Sequence, residues 1–185
     1  MVARTDLVVR LNKLGIACDD VPLDRVDSAT SALACLPMYA VANSHGWTSD
    51  TQFKLPFFDI EGVEGLREAW AIGKEESLME VSREHRRVLG QFLRHPRAAD
   101  AIIYDYAFET LALFLDLASP QVAEVVRVRV ARSCVHVARA AGKGLFGTGE
   151  KVSEGERAVI DVLRDILGLN DCEPAAIILE ELEVR

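Results

Sequence analysis

The chain has 185 residues, half of them hydrophobic, and a net charge of −8. That is enough length and apolar content for a real core, so a disordered chain is excluded. The acidic balance argues against nucleic acid as a main partner, because phosphate recognition wants a basic field.

No apolar run reaches the roughly 20 residues of a membrane span. The run Met1-Val2-Ala3-Arg4-Thr5-Asp6 lacks the apolar centre of a signal peptide. Cys18, Cys35, Cys134 and Cys172 are isolated, with no CxxC pair and no metal spacing. A cytoplasmic protein with free thiols is the expectation.

In chain order, Thr5 is placed to cap a short helix with Leu7, Val8, Leu11 and Leu14 inward, ended by Gly15. Asp24 or Ser28 opens an alanine-rich helix that Pro37 should kink or end. The segment Asn43–Pro56, with Gly46, Trp47 and Phe53, is too long for a simple turn and aromatic enough to dock on the core. Ile60, Val63, Leu66 and Trp70 then predict a helix from Asp59 to Ala71, broken by Gly73. Leu78, Val81, Val88, Leu89 and Phe92 mark the next, ending near His95. Pro96 sits in the first turn of a long helix to Ala118, with Ala101, Ile102, Phe108, Leu111 and Leu115 inward.

The stretch Val122–Leu169 is the one around which the rest is expected to pack. Ser119-Pro120 supplies an N-cap and a first-position proline, and Val122, Val126, Val130, Cys134, Val137 and Ala141 recur at helical spacing. Val126–Val130 also alternates like a strand. The helical period continues beyond it, and Ala131, Ala138, Ala140 and Ala141 favour helix. Gly142 and Gly144 stop this helix, and Gly147 and Gly149 follow in the loop. The match of Gly142–Gly147 to GxGxxG lacks a preceding strand and a helix opening on its last glycine, so it reads as a connector. Glu150 stands where a Walker loop needs lysine.

Ser153 and Glu156 form a capping box for a helix striped by Val159, Val162, Leu163, Ile166 and Leu167 and closed by Gly168. A last helix follows around Pro174–Leu182, with Ile177, Ile178 and Leu182 apolar.

Three clusters carry chemistry. Glu80 with Glu84, and Asp105 with Glu109, are like-charged pairs one helical turn apart, which ask for a compensating cation. A di-metal bundle would also need Glu-x-x-His, which no histidine here provides; His85 directly follows Glu84 and projects elsewhere. Glu150, Glu154 and Glu156 are a second acidic group, in or beside a glycine loop whose carbonyls could join them on a hard divalent cation. The third is basic: Arg83, Arg86, Arg87 and Arg94, with Arg97 just beyond, make one predicted helix of an acidic chain locally basic. They either pair with the chain's own carboxylates or face an acidic partner. His45, His85, His95 and His136 are scattered, with no serine or cysteine close to any of them in sequence.

The run Val125–Leu169 resembles the C-terminal half of the tellurite-resistance TerB-like family. The likeness is carried by Val137-Ala138-Arg139-Ala140-Ala141-Gly142, the glycine loop, Lys151-Val152-Ser153-Glu154-Gly155-Glu156-Arg157, and the amphipathic helix to Leu169. It implies an all-helical fold of packed helix pairs, a non-catalytic role in stress response, and a cation site in the loop before the capped helix. The family often has Asp-Gly in that loop; this chain has Lys143-Gly144.

The expectation is therefore an all-α, compact multi-helix bundle. It divides into an N-terminal helical arm (1–58) and a helical core (59–185), or forms one single domain. It binds a protein partner, carries no catalytic or cofactor-binding residues, and accepts at most a divalent cation. Association with a second copy is compatible with this. The alternative is a carboxylate metal-binding bundle or metal-dependent enzyme built on Glu80, Glu84, Asp105 and Glu109.

Overall fold

The computed structural model describes residues 2–44, 81–92, 98–141 and 152–182. Among them are seven helices and no strand: α1 (Val2–Lys13), α2 (Ser28–Asn43), α3 (Arg83–Phe92), α4 (Ala98–Leu117), α5 (Pro120–Ala141), α6 (Glu154–Ile166) and α7 (Glu173–Glu180). The all-α expectation holds. The aromatic segment beyond Ser44, the helix expected over 59–71 and the glycine loop 142–151 lie outside the described residues.

Among the described residues the most enclosed helix is α2, rather than the α5–α6 stretch that the sequence pattern favours. Every residue of α2 from Ala29 to Asn43 is buried. Ala29, Ala32, Ala34, Ala40 and Ala42 let neighbours come close, while Leu33, Leu36, Met38 and Tyr39 fill the gaps between them. A helix apolar all round must be enclosed, and α3, α4, α5 and α6 all pack on it. It begins at Ser28, one of the two expected starts, and Asp27 is its cap. The Asp27 carboxylate accepts the Thr30 N–H at 2.9 Å, and Thr30 Oγ1 accepts the Asp27 N–H at 2.8 Å. Pro37 neither ends nor divides this helix, which continues to Asn43. Proline there removes the N–H that would bond the Leu33 carbonyl; burial on all sides holds the helix regardless.

The peripheral helices are closed as their sequences ask. Gly15, at φ +81°, ends α1. On α5, the apolar stripe from Val122 to Val137 is buried, and the Ser119 carbonyl accepts the Ala123 N–H at 2.9 Å. The capping box of α6 is present: Glu156 Oε2 accepts the Ser153 N–H at 2.7 Å, and Ser153 Oγ accepts the Glu156 N–H at 3.3 Å. Gly168, at φ +58°, ends α6, and Arg127 of α5 donates to the Leu167 carbonyl at 2.8 Å, satisfying one orphan acceptor of that helix end. Arg139 ties α5 to the end of α7 through the Glu181 carboxylate at 2.6 Å and its carbonyl at 2.7 Å. One hydrophobic cluster runs from Leu7 to Leu179 and takes side chains from all seven helices. The expected division near residue 58 falls outside the described residues.

Candidate functional site

Helix α3 separates its two faces cleanly, and its two ends are fastened by different contacts. At the start, Ser82 acts as a cap: its carbonyl accepts the Arg86 N–H at 3.0 Å and its hydroxyl the His85 N–H at 3.3 Å. His85, Val88 and Leu89 are buried, and Phe92 packs on the same cluster. These are the positions three and four apart that make one helix face.

His85 holds this face in register. Its Nε2 lies 3.0 Å from the Ala17 carbonyl and its Nδ1 2.9 Å from Ser28 Oγ. A carbonyl only accepts, so Nε2 carries the proton that reaches the Ala17 oxygen, and Nδ1 shares a hydrogen bond with the Ser28 hydroxyl. Ser28 Oγ also accepts the Ser82 N–H at 2.7 Å. Both ring nitrogens and the serine hydroxyl are thereby used in joining the α1–α2 loop, the first turn of α2 and the start of α3. This is a structural tie, with no ring nitrogen left for a metal.

The other end of α3 is fastened by Asn43, whose Nδ2 donates to the Phe92 carbonyl at 3.0 Å and to the Tyr104 hydroxyl at 2.7 Å. The Phe92 and Tyr104 rings pack tilted, with centroids 5.7 Å apart.

The opposite face of α3 is basic and open. Arg83, Arg86 and Arg87 are exposed and fall within about 100° of arc at 3.6 residues per turn, with Gly90 inside the same arc one turn on. Among the described residues none of the three forms an ion pair, as is also true of Arg25, Arg132 and Arg157, whereas Arg4, Arg10, Arg139 and Arg164 each do. The intramolecular pairing that would account for a basic helix on an acidic protein is thus not seen for these three. Arg94 and Arg97 lie outside the described residues.

The carboxylates singled out from the sequence fall only partly within the described residues. Glu154 is exposed on the first turn of α6, Glu156 is fully buried in its capping box, and Glu150 lies outside the described residues. Glu84 is exposed on α3, beside the arginine face, and Glu80 is not described. The Asp105–Glu109 pair on α4 has a protein cation for company: Arg10 Nη1 lies 3.6 Å from Glu109, with Nε 3.0 Å from Asp6 and the guanidinium 5.3 Å over the Tyr106 ring. Hydrogen bonding to Asp6 is the first cause of the raised Arg10 pKa. Among the described residues no three His, Cys, Asp or Glu side chains converge as a metal would require.

Two of the thiols, Cys134 and Cys18, are held toward the protonated form. Burial pushes the pKa of Cys134 well up, and burial followed by the Asp27, Asp19 and Asp20 carboxylates raises that of Cys18. A thiol so held is a poor nucleophile. An open depression of about 590 Å³ near Leu23 and Ser119 is rimmed by Arg4 and Asp20, which already pair at 2.8 Å.

The arginine stripe was legible from spacing. The His85–Ser28 tie was not: its partners are 57 residues apart, and no local pattern announces such a pair. Compared with protein-family models, with curated proteins and with solved structures, the chain matches none.

Proposed function

We propose that this chain is a non-catalytic helical module that binds an acidic partner through the outer face of α3. The observation that carries the reading is a set of three exposed arginines, Arg83, Arg86 and Arg87, on one face with no ion pair among the described residues, in a chain of net charge −8. Guanidinium groups suit this role because each presents a planar fork of donors to a carboxylate. The inner face supports the same reading. His85, Ser28 and Asn43 fix α3 at both ends, so the arginines stand on a rigid support and little backbone freedom is lost on docking. The stress-linked setting rests on the resemblance of Val125–Leu169 to the tellurite-resistance family.

The test is an anisotropy titration of fluorescein-labelled poly-L-glutamate with the wild-type protein and with the Arg83→Glu, Arg86→Glu, Arg87→Glu variant. Removing three exposed pairings, each worth up to about 1 kcal/mol, and adding repulsion should weaken binding about tenfold or more. Equal affinities for the two proteins would refute the reading.

A further inference from the structure

We infer that α3 is a latch: it opens from the core as a unit while the other helices stay folded, and occupation of its outer face holds it shut. The opening stands on the packing of α3 alone; the closing rests on the reading of α3 as the docking face. Three of the ten residues of α3 are buried, His85, Val88 and Leu89, against every residue of α2 from Ala29 to Asn43. Among the described helices α3 packs chiefly on α2, whereas α5 packs on α2, α4 and α7. Local opening costs less where few apolar contacts must be broken, so a helix held by so few leaves before the core does. A helix of that length is marginal in water by itself, so α3 loses its helical form once it leaves.

What else holds α3 is polar and lies at its two ends. Ser28 Oγ accepts the Ser82 N–H at 2.7 Å and lies 2.9 Å from His85 Nδ1, while His85 Nε2 lies 3.0 Å from the Ala17 carbonyl. At the far end Asn43 Nδ2 donates to the Phe92 carbonyl at 3.0 Å. Each bond joins α3 or its cap to α2 or to the loop before α2. All of them break together when α3 opens, so the exchange is between two states, one of them fixed. Working against closure, Arg83 stands three and four residues from Arg86 and Arg87, spacings at which like charges repel. An acidic ligand removes that repulsion and meets three guanidiniums that stand together only on the closed helix. It therefore binds the closed state better, and such a difference in affinity is what shifts a two-state element.

The experiment is native-state amide exchange by NMR on the full chain, with Arg87, Val88 and Leu89 reporting on α3 and Leu36, Ala40 and Val130 on the core. After correction for intrinsic rates, the α3 amides of the free wild type should exchange at least tenfold faster than the core amides. Equal corrected rates would mean that α3 opens only with the whole molecule, which overturns the latch. Ser28→Ala should speed the α3 amides about threefold or more and spare Val130; acceleration of both by one factor also overturns it. The Arg83→Gln, Arg86→Gln, Arg87→Gln variant, which keeps good helix formers on the surface, should slow the α3 amides of the free protein about two- to fivefold. An unchanged rate would contradict the part given to repulsion. Poly-L-glutamate at ten times its Kd should slow the wild-type α3 amides about tenfold, leave Val130 alone, and do nothing to the glutamine variant. Monomeric glutamate at the same total charge should be without effect. Polymer that binds by anisotropy yet leaves α3 exchange unchanged overturns the closing while the docking face stands. Polymer that does not bind removes the docking face and the closing together, and the free-protein rates alone then decide the opening.

Discussion

Ser153 shows how much one side chain contributes to this fold. Its hydroxyl accepts the Glu156 N–H and its own N–H is taken by the Glu156 carboxylate, so two otherwise unpaired donors of α6 are satisfied together. Ser153→Ala should lose about 0.5–2 kcal/mol, read from the denaturant midpoint; an unchanged midpoint would mean that the box contributes nothing. Cys134 and Tyr39 act through charge rather than capping. Burial raises the pKa of both, above ordinary values of 9.0 and 10.0. In the unfolded chain the same groups ionise near those values, so the folded state binds more protons above pH 9 and stability must fall as pH rises through that range. The alkaline decline should be shallower in a Cys134→Ala, Tyr39→Phe variant, followed by denaturant unfolding from pH 7 to 11. A decline of unchanged slope would place its origin elsewhere.

At the scale of the helix, what the sequence reveals depends on whether a helix has two faces. The start of α6 is legible because Ser153 and Glu156 stand three apart before an apolar stripe, and the faces of α3 because arginines and apolar residues alternate at helical spacing. Helix α2 has no polar face, so periodicity marks it less clearly than α5 or α6 although it is the most enclosed helix among the described residues. Its role emerges only when four other helices are seen against it. Pro37 does not end the helix for a related reason, since local propensity gives way to burial. The same logic orders mutational effects. Leu36→Ala, on a side chain with no exposure, should destabilise by about 2–5 kcal/mol. Val9→Ala on α1, 45% exposed, should stay within about 0.5 kcal/mol. Comparable losses from the two in thermal unfolding would contradict the central place given to α2.

Over the whole molecule, 29 acidic residues outweigh 21 lysines and arginines, yet α3 gathers three of those arginines on one open face. The sequence gives this stripe through local spacing alone. What it withholds is the state of pairing, because carboxylate partners arrive from distant parts of the chain, as Glu109 of α4 does for Arg10 of α1. A basic face on an acidic globule draws an acidic partner and repels a second acidic globule elsewhere, an effect that salt screens over about 10 Å at 0.1 M. The most direct measurement is residue-resolved: arginine side-chain Nε–Hε NMR signals of the wild-type protein, recorded while poly-L-glutamate is added. Shifts concentrated on Arg83, Arg86 and Arg87 are the predicted result, with Arg132 and Arg157, exposed on α5 and α6, little changed. Shifts of equal size on all five, or none on α3, would contradict the assignment of α3 as the docking face.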